Sequence, residues 1–415
     1  MSTATNRVLA ATFVPHVLIH ALVASVPLYV PLWLGEFGVS RATIGLALGA
    51  LFVFYGGTAI PAGVLSDRIG ASRFIEVFLL GTAVAAVVVS RADSFAALVA
   101  ALVVLGLSTG LYHAPAFSLL SRQENASSSL FAYHNVGGHV GLGFGPLVMA
   151  VLLAFTDWRT ALLLAAVPFA LTWVVFRVVA PTDDPPGAGG ETARRADGGL
   201  LASATGGPLR TQLRRLCTVG FVFVLAVYLL RGTYYRGSIV FLPDFLDAAA
   251  SLAPIAILGK DVPPGQWVYS AMLMVGTVGQ VLGGKLGDRF PEERILVVQL
   301  LSTAGLLVLL GRTSGIALFA VVGLFGLMMY SFPPILQTLV AAYTPERNRG
   351  LGFGVTTAVN AAAGGFLGSA LAGWLATVGT YADMFATIAV VPLAALVLIL
   401  GYLWRFEGRE SRTLC

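Results

Sequence analysis

What this sequence has least of is charge: 11% of its 415 residues are Asp, Glu, Lys or Arg, against about 25% in soluble domains, while 57% are hydrophobic. Such a chain cannot clothe a water-soluble globule, so its solvent is lipid. Cysteine is nearly missing too. Cys217 and Cys415 both fall in segments expected on the cytoplasmic side, which excludes a disulfide framework. Positive charge is present but not concentrated. The net +5 comes from basic residues scattered between apolar runs, which excludes a nucleic-acid-binding face. Gly279-x-x-x-x-Gly284-Lys285 copies most of a phosphate loop, yet Leu286 stands where Ser or Thr is required and the segment is apolar. No nucleotide or other cofactor is therefore expected. Nor is a metal enzyme, because His16 and His20 share a helix face but have almost no carboxylates near them to complete a metal set.

What the sequence has in plenty is long apolar runs. A bilayer-crossing helix needs about 20 mostly apolar residues. Such runs recur near 8–34, 43–65, 74–90, 95–121, 128–155 and 159–180, then near 214–245, 266–287, 293–311, 315–342, 350–377 and 381–404. The first is longer than a signal peptide's core of about 7–15 residues and is expected to remain in place. Residues 181–213, rich in Pro, Gly and Ala, read as a linker. The expectation is an all-α membrane protein of twelve transmembrane helices in two six-helix halves, 1–180 and 214–404. A cytoplasmic linker, 181–213, joins them and a cytoplasmic tail, 405–415, follows. With both termini inside, Arg7, Arg68, Arg73, Arg122, Arg177, Arg289 and Arg405 are among the many basic residues on the inner side. Only Arg41, Arg91, Arg159, Lys260 and Arg312 fall outside, as the positive-inside rule requires.

The loop after the second run reads Gly63-Val-Leu-Ser-Asp67-Arg68-Ile-Gly70-Ala-Ser-Arg73, and the loop after the eighth reads Gly284-Lys-Leu-Gly-Asp288-Arg289. Two copies on one membrane side indicate parallel repeats around a central site. The Gly-x-Leu-x-Asp-Arg-x-Gly pattern resembles the hallmark loop of the major facilitator superfamily, and helix count, linker and second copy extend the resemblance over the whole chain. His16-x-x-x-His20 with Pro27 and Pro31, Tyr112-His-Ala-Pro115 and Gly137-Gly-His-Val-Gly141 are further similar to fosmidomycin-resistance-type exporters. The resemblance implies a monomeric secondary transporter working by alternating access on a small solute, with a proton-coupled exporter ahead of a nutrient or organic-anion importer. It also implies that Gly63, Asp67, Arg68, Gly70, Arg73, Gly284, Asp288 and Arg289 form a latch, the aspartates meeting helix amino termini of the opposite half.

Gly141-x-x-x-Gly145-Pro146 places small residues on one face and adds a bend. It resembles the family's antiporter motif, although the glycines expected after the proline are missing; simple tight packing is the other reading. All five histidines lie in the first half. With so few carboxylates available, His20, His113 and His139 are candidates for proton handling, and neutral helix contacts are the alternative. Arg231, midway along the seventh run, costs at least about 2.5–3.5 kcal/mol at that depth. It is a candidate anchor for an anionic substrate group, with Tyr234 and Tyr235 following it and His16 of the first run as a further candidate substrate contact. The alternative is an internal partner, Glu36 or Asp244, with Arg236 snorkelling outward.

Overall fold

The computed structural model describes residues 3–121, 128–179, 202–203, 207–208, 213–214, 216–249, 253–287, 289–344 and 349–410. Helix occupies every predicted apolar run. The first is α1 (Thr3–Phe37); the second is split into α2 (Arg41–Gly57) and α3 (Ala59–Ile69), followed by α4 (Ala71–Ser90). The fourth is split into α5 (Phe95–Thr109) and α6 (His113–Ser121), before α7 (Ser128–Phe155) and α8 (Trp158–Val179). Then come α9 (Val219–Ile239), the short α10 (Leu242–Ala248), α11 (Pro264–Gly287), α12 (Glu292–Leu310) and α13 (Gly315–Tyr343). The eleventh run is α14 (Arg349–Ala358), a π-helical turn (Val359–Gly364) and α15 (Gly365–Val378); the twelfth is α16 (Tyr381–Ile388) and α17 (Val390–Glu410). Two small antiparallel pairs, β1 (Ala202–Ser203) with β2 (Gly207–Pro208) and β3 (Ile255–Ile257) with β4 (Lys260–Val262), are the strands among the described residues.

Nine helical stretches among the described residues are long and apolar enough to cross a bilayer. The helix α9 is not one of them, because Arg231 and Arg236 interrupt its apolar sequence. Outward-facing apolar side chains mark the lipid side: Leu171, Val174, Val175 and Val178 of α8 are all more than half exposed, a pattern that only a hydrocarbon solvent tolerates on this scale. The result is a multi-pass membrane protein.

The splits of the second and fourth runs share a cause. Thr58 turns its hydroxyl back onto the Phe54 carbonyl at 2.8 Å, a local bond that competes with helix continuation. Gly110, at the end of α5, lies directly against this break. A Cβ there would stand 1.8 Å from the Thr58 hydroxyl oxygen and 2.3 Å from the Tyr55 carbonyl oxygen, so only glycine allows the crossing. Both breaks adjoin the histidines described below.

The turns gather on two faces. One carries Gly38–Ser40, Ala92–Ser94, Asp157 and Thr380, tied together by Arg159 donating to the Ala92 carbonyl at 2.7 Å and by Arg41 reaching Asp244. The other carries Gly70, in a left-handed conformation at φ 100° that suits glycine alone, and Phe290. On the Arg41 side, α2 and α15 touch backbone to backbone. A Cβ on Gly45 would meet the Ser369 carbonyl oxygen at 2.4 Å, and one on Gly373 the Arg41 carbonyl oxygen at 2.4 Å. Close approach of this kind, through small residues, is how helices associate where no hydrophobic effect drives them together.

Candidate functional site

The first polar centre is a histidine cluster. His16 and His20, one turn apart on α1, meet His113 at the start of α6, and one ring nitrogen from each lies within 4.8 Å of the other two. The His20 and His113 Nε2 atoms are 3.4 Å apart. His16 stacks on His134 of α7 at 4.2 Å between ring centres, and its Nδ1 donates to the His134 carbonyl at 2.9 Å. That bond fixes the tautomer and turns the His16 Nε2 lone pair toward the other two rings. A Cβ on Gly138 would approach His16 Nε2 to 2.9 Å, so glycine leaves room for these rings. His139 reaches instead to Gln280 of α11, in the second half. The structure thus brings His20 and His113 together, adds His16 and His134 to them, and turns His139 across to the other half.

The second centre surrounds Arg231. It is 9% exposed, and its Nη1 donates to Asn360 Oδ1 at 3.2 Å. Its Nε is buried without a partner, and its charge lies 5.2 Å from the Tyr235 ring centre. Asn360 belongs to the π-helical turn. A π-turn shifts the register of the side chains that follow it, and here it presents the amide to α9. The helices meet closely at that point, since a Cβ on Gly232 would stand 2.2 Å from the Asn360 carbonyl oxygen. A cavity of about 170 Å³ adjoins the arginine, lined by Tyr228 and Arg231 of α9, Pro333, Leu336 and Gln337 of α13, and Phe353 and Thr357 of α14.

Neither carboxylate offered by the sequence as a partner serves Arg231. Glu36 accepts a hydrogen bond from Trp158 Nε1 and forms an ion pair with Arg159 at 2.6 Å. Asp244 takes Arg41 Nε at 2.7 Å and the Tyr381 hydroxyl. Among the described residues Arg231 has no carboxylate partner. Arg236 does not snorkel either; its guanidinium lies 3.9 Å over the Phe52 ring of α2. Tyr235 hydrogen-bonds the Tyr330 hydroxyl at 2.8 Å. Tyr234 is fully buried against Phe332, and His16 sits in the histidine cluster, so neither lines the Arg231 cavity.

Sequence reasoning passed over Asn360, Gln337 and the Arg41–Asp244–Tyr381 group. Asn360 did carry a signal, as a lone amide among alanines and glycines in an apolar run.

Gly141 and Gly145 pack on α1: a Cβ on the first would meet the Val17 carbonyl oxygen at 2.1 Å and one on the second the Ala21 Cα at 2.3 Å. Pro146 follows inside α7. In the latch segments Gly63 faces Ala114 and Gly284 faces open space, while Arg289 is exposed. Arg73 follows Gly70 in the first turn of α4. Asp288 and the side chains of Asp67 and Arg68 lie outside the described residues.

A bundle of membrane-crossing helices with polar groups buried between them is the architecture of a polytopic membrane protein with an interior polar site. The chain belongs to the Major Facilitator Superfamily, whose sequence profile matches residues 16–259 and 245–413. It is not an enzyme but a transporter of that family. It is 28% identical over 275 residues to the probable sulfoacetate transporter SauU of Cupriavidus necator, spanning 62% of this chain and 59% of that protein. Against the nitrite extrusion protein of Bacillus subtilis identity is 24% over 415 residues, 98% of this chain and 94% of that one. The D-galactonate transporter of Escherichia coli is 26% identical over 155 residues, 35% of each chain. A bacterial homolog of the human lysosomal transporter Spinster, in an inward-facing conformation, superposes with a TM-score of 0.72 at 17% identity, covering 96% of this chain and 95% of that one. The nucleoside transporter NupG gives 0.73 at 14% identity, covering 96% and 99%. At these identities the likeness concerns the fold.

Proposed function

We propose that this chain is a monomeric secondary active carrier that exports a small organic anion across the cell membrane in exchange for protons. The observation that carries this reading is Arg231, a permanent cation buried beside a cavity, held by an amide and a ring, and without a carboxylate among the described residues. Arginine stays protonated in proteins, so an anion is the missing partner. The three relatives support the same chemistry, since sulfoacetate, nitrite and galactonate are all anions. Their shared feature is charge, and their sizes differ.

Alternating access supplies the mechanism. The halves 1–180 and 214–404 rock about the Arg231 site. With the basic residues of the Gly70 face inside, the Arg41–Asp244–Tyr381 group closes the outer end, and the latch around Asp67 and Asp288 belongs to the opposite, outward-open state. Proton exchange falls to His20 and His113, whose ring nitrogens meet, and to His139, which faces the other half and is placed to couple protonation to rocking. Export follows the nitrite extrusion relative, which matches nearly end to end; uptake by symport is the competing direction.

The test is transport in proteoliposomes of sulfoacetate, galactonate, nitrite and a phosphonate, with a pH gradient imposed in either direction. Anion movement that rises with protons on the opposite side and falls about tenfold or more in Arg231→Gln is expected, the loss of one charge-assisted contact being worth at least about 1.4 kcal/mol. Anion flux no greater than in empty vesicles, or an unchanged rate in Arg231→Gln, would sink the reading. Movement stimulated by protons on the same side would turn export into uptake.

A further inference from the structure

Arg231 is not the only unpaired cation in this part of the membrane. Arg236, five residues further along α9, makes its contacts with rings alone: 3.9 Å to the Phe52 centre and 5.1 Å to the Tyr235 centre. It is half-buried and, among the described residues, has no hydrogen bond or ion pair to a carboxylate. Tyr235 stands between the two arginines, with Arg231 5.2 Å from the same ring centre. The two charges are therefore no further apart than the sum of those ring distances. The Tyr235–Tyr330 hydrogen bond holds the dividing ring in place. Of the elements around the two guanidinium groups, α2, α9, α11, α13, α14, α15 and the π-helical turn contain no aspartate or glutamate. The described carboxylates of α10 and α16, which also pack on α9, are engaged elsewhere: Asp244 with Arg41, Asp247 with the Gly265 N–H and Asp383 with Thr380. Two fixed positive charges without an internal anion are costly at this depth, and intramembrane charges of this kind mark substrate paths.

From this we infer that Arg231 and Arg236 form a two-point clamp, and that the carrier's preferred substrate is a short aliphatic dianion. Its two acidic groups, carboxylate, sulfonate or phosphonate, sit one on each guanidinium, and its linker crosses the Tyr235 ring. The inference rests on the anion reading above and narrows it. Three features favour two charges on one substrate over one. Among the described residues, both cations of α9 lack a carboxylate partner. Rings and not polar side chains lie between them, which suits a hydrocarbon linker. And Arg236 lies against Phe52 of the first half while Arg231 is held by Asn360 in the second, so a substrate with two acidic ends would engage groups that contact both halves.

The experiment compares pairs that differ by one added carboxylate in proteoliposomes of the full chain: acetate with malonate, propionate with succinate, methanesulfonate with sulfoacetate. In the wild type the dianion of each pair is expected to be taken at about tenfold lower concentration, the gain of one further charge-assisted contact. In Arg236→Gln that ratio should collapse toward one, while Arg236→Lys, which keeps the charge, retains part of it. As a check that needs no variant, each dianion should raise the melting temperature of the purified wild type more than its monoanion partner at equal concentration. Equal transport and equal thermal shift within the pairs would overturn the clamp, as would an Arg236→Gln ratio equal to the wild type's, and either result leaves the one-arginine anion carrier standing. If no anion of either kind moves, the anion reading falls with it.

Discussion

Arg41 and Asp244 meet at 2.7 Å although 203 residues separate them, and Tyr381 donates its hydroxyl to the same carboxylate oxygen. Three elements from distant parts of the chain, the start of α2, the short α10 and the start of α16, are thus pinned at one end of the bundle. A depression of about 260 Å³ reaches this pair, and the arginine side chain is 37% exposed. Screening keeps such a pair to about 1 kcal/mol or less, enough to shift a two-state population roughly two- to fivefold. Asp244→Asn should therefore favour opening at the Arg41 face by that factor. The measurement is the maleimide labelling rate of Ala376→Cys, which lines the depression, in a background with Cys217 and Cys415 replaced by serine. An unchanged rate would show that the pair does not help to close this face.

Below the ion pair the closure depends on shape. Replacing Gly45 by valine puts carbon where the Ser369 carbonyl oxygen already stands, 2.4 Å from the ideal Cβ position. Backbone cannot move aside as a flexible side chain can, and overpacking of this kind costs roughly 1–3 kcal/mol. Gly45→Val should reach the membrane yet move substrate at less than about a tenth of the wild-type rate, since a penalty above 1.4 kcal/mol on the closed state is a tenfold loss. Its Ala376→Cys label should react faster than in Asp244→Asn. A fully active Gly45→Val protein would mean that α2 and α15 need not touch during transport.

Much of this architecture was written in the sequence. Each apolar run of bilayer length is helical, because a backbone in lipid has to satisfy its own hydrogen bonds, and Arg231 stood out because charge at that depth is rare. Partners were another matter. Glu36 and Asp244 were equally plausible mates for Arg231 by sequence, but helix packing gives them to Arg159 and Arg41. Asn360 was hidden for a local reason: the π-turn departs from the 3.6-residue period on which face assignments rest. The breaks at Thr58 and Gly110 were illegible too, since each run is apolar across its break and the cause is a contact between the two.

Asn360→Ala tests the π-turn directly. The substitution leaves Arg231 Nη1 without its hydrogen bond, in a protein where its Nε already lacks one. A buried donor stripped of its partner costs about 1–3 kcal/mol. Two effects are expected: a lower melting temperature for the empty protein, and a stabilisation by anionic substrate larger than in the wild type, because the substrate then satisfies a donor that nothing else does. Equal stabilisation in the two proteins would place the substrate elsewhere.

Away from the membrane interior, Asp157 gives a pH prediction. It precedes α8, accepts the backbone N–H groups of Arg159 at 2.9 Å and Thr160 at 3.1 Å, and takes the Thr160 hydroxyl at 2.7 Å. These bonds, the Thr160 hydroxyl first, hold its carboxyl below the usual carboxylate range. A lowered folded-state value means stability that is present above the ordinary aspartate range and is lost as pH falls through the lowered one. The residue is almost fully exposed, so the effect is a few tenths of a kcal/mol, at the lower end of what a helix cap gives. Asp157→Ala should lower the melting temperature slightly at pH 7, and the difference from wild type should shrink and disappear as pH falls through the lowered carboxyl value. A difference that persisted at acid pH would point to lost packing instead of the charge.

The histidines divide into groups that single substitutions can tell apart. His20 and His113 bring Nε2 atoms to 3.4 Å, and two positive rings so close would repel, so the pair is suited to carrying one proton at a time. His134 is stacked on His16 with both ring nitrogens buried and unpartnered, a position for packing. Glutamine keeps the polarity and much of the volume of histidine but cannot take a proton in the physiological range. His20→Gln and His113→Gln should therefore retain anion movement down a concentration gradient yet lose most of its response to an imposed pH gradient, and the double variant should do no worse than either single one. Non-additivity is the signature of residues acting as a unit. His134→Gln should keep the pH response and show only a lower melting temperature. If all three variants respond to pH as the wild type does, the cluster is a set of neutral helix contacts and the coupling proton travels elsewhere, with His139 at Gln280 the next residue to change.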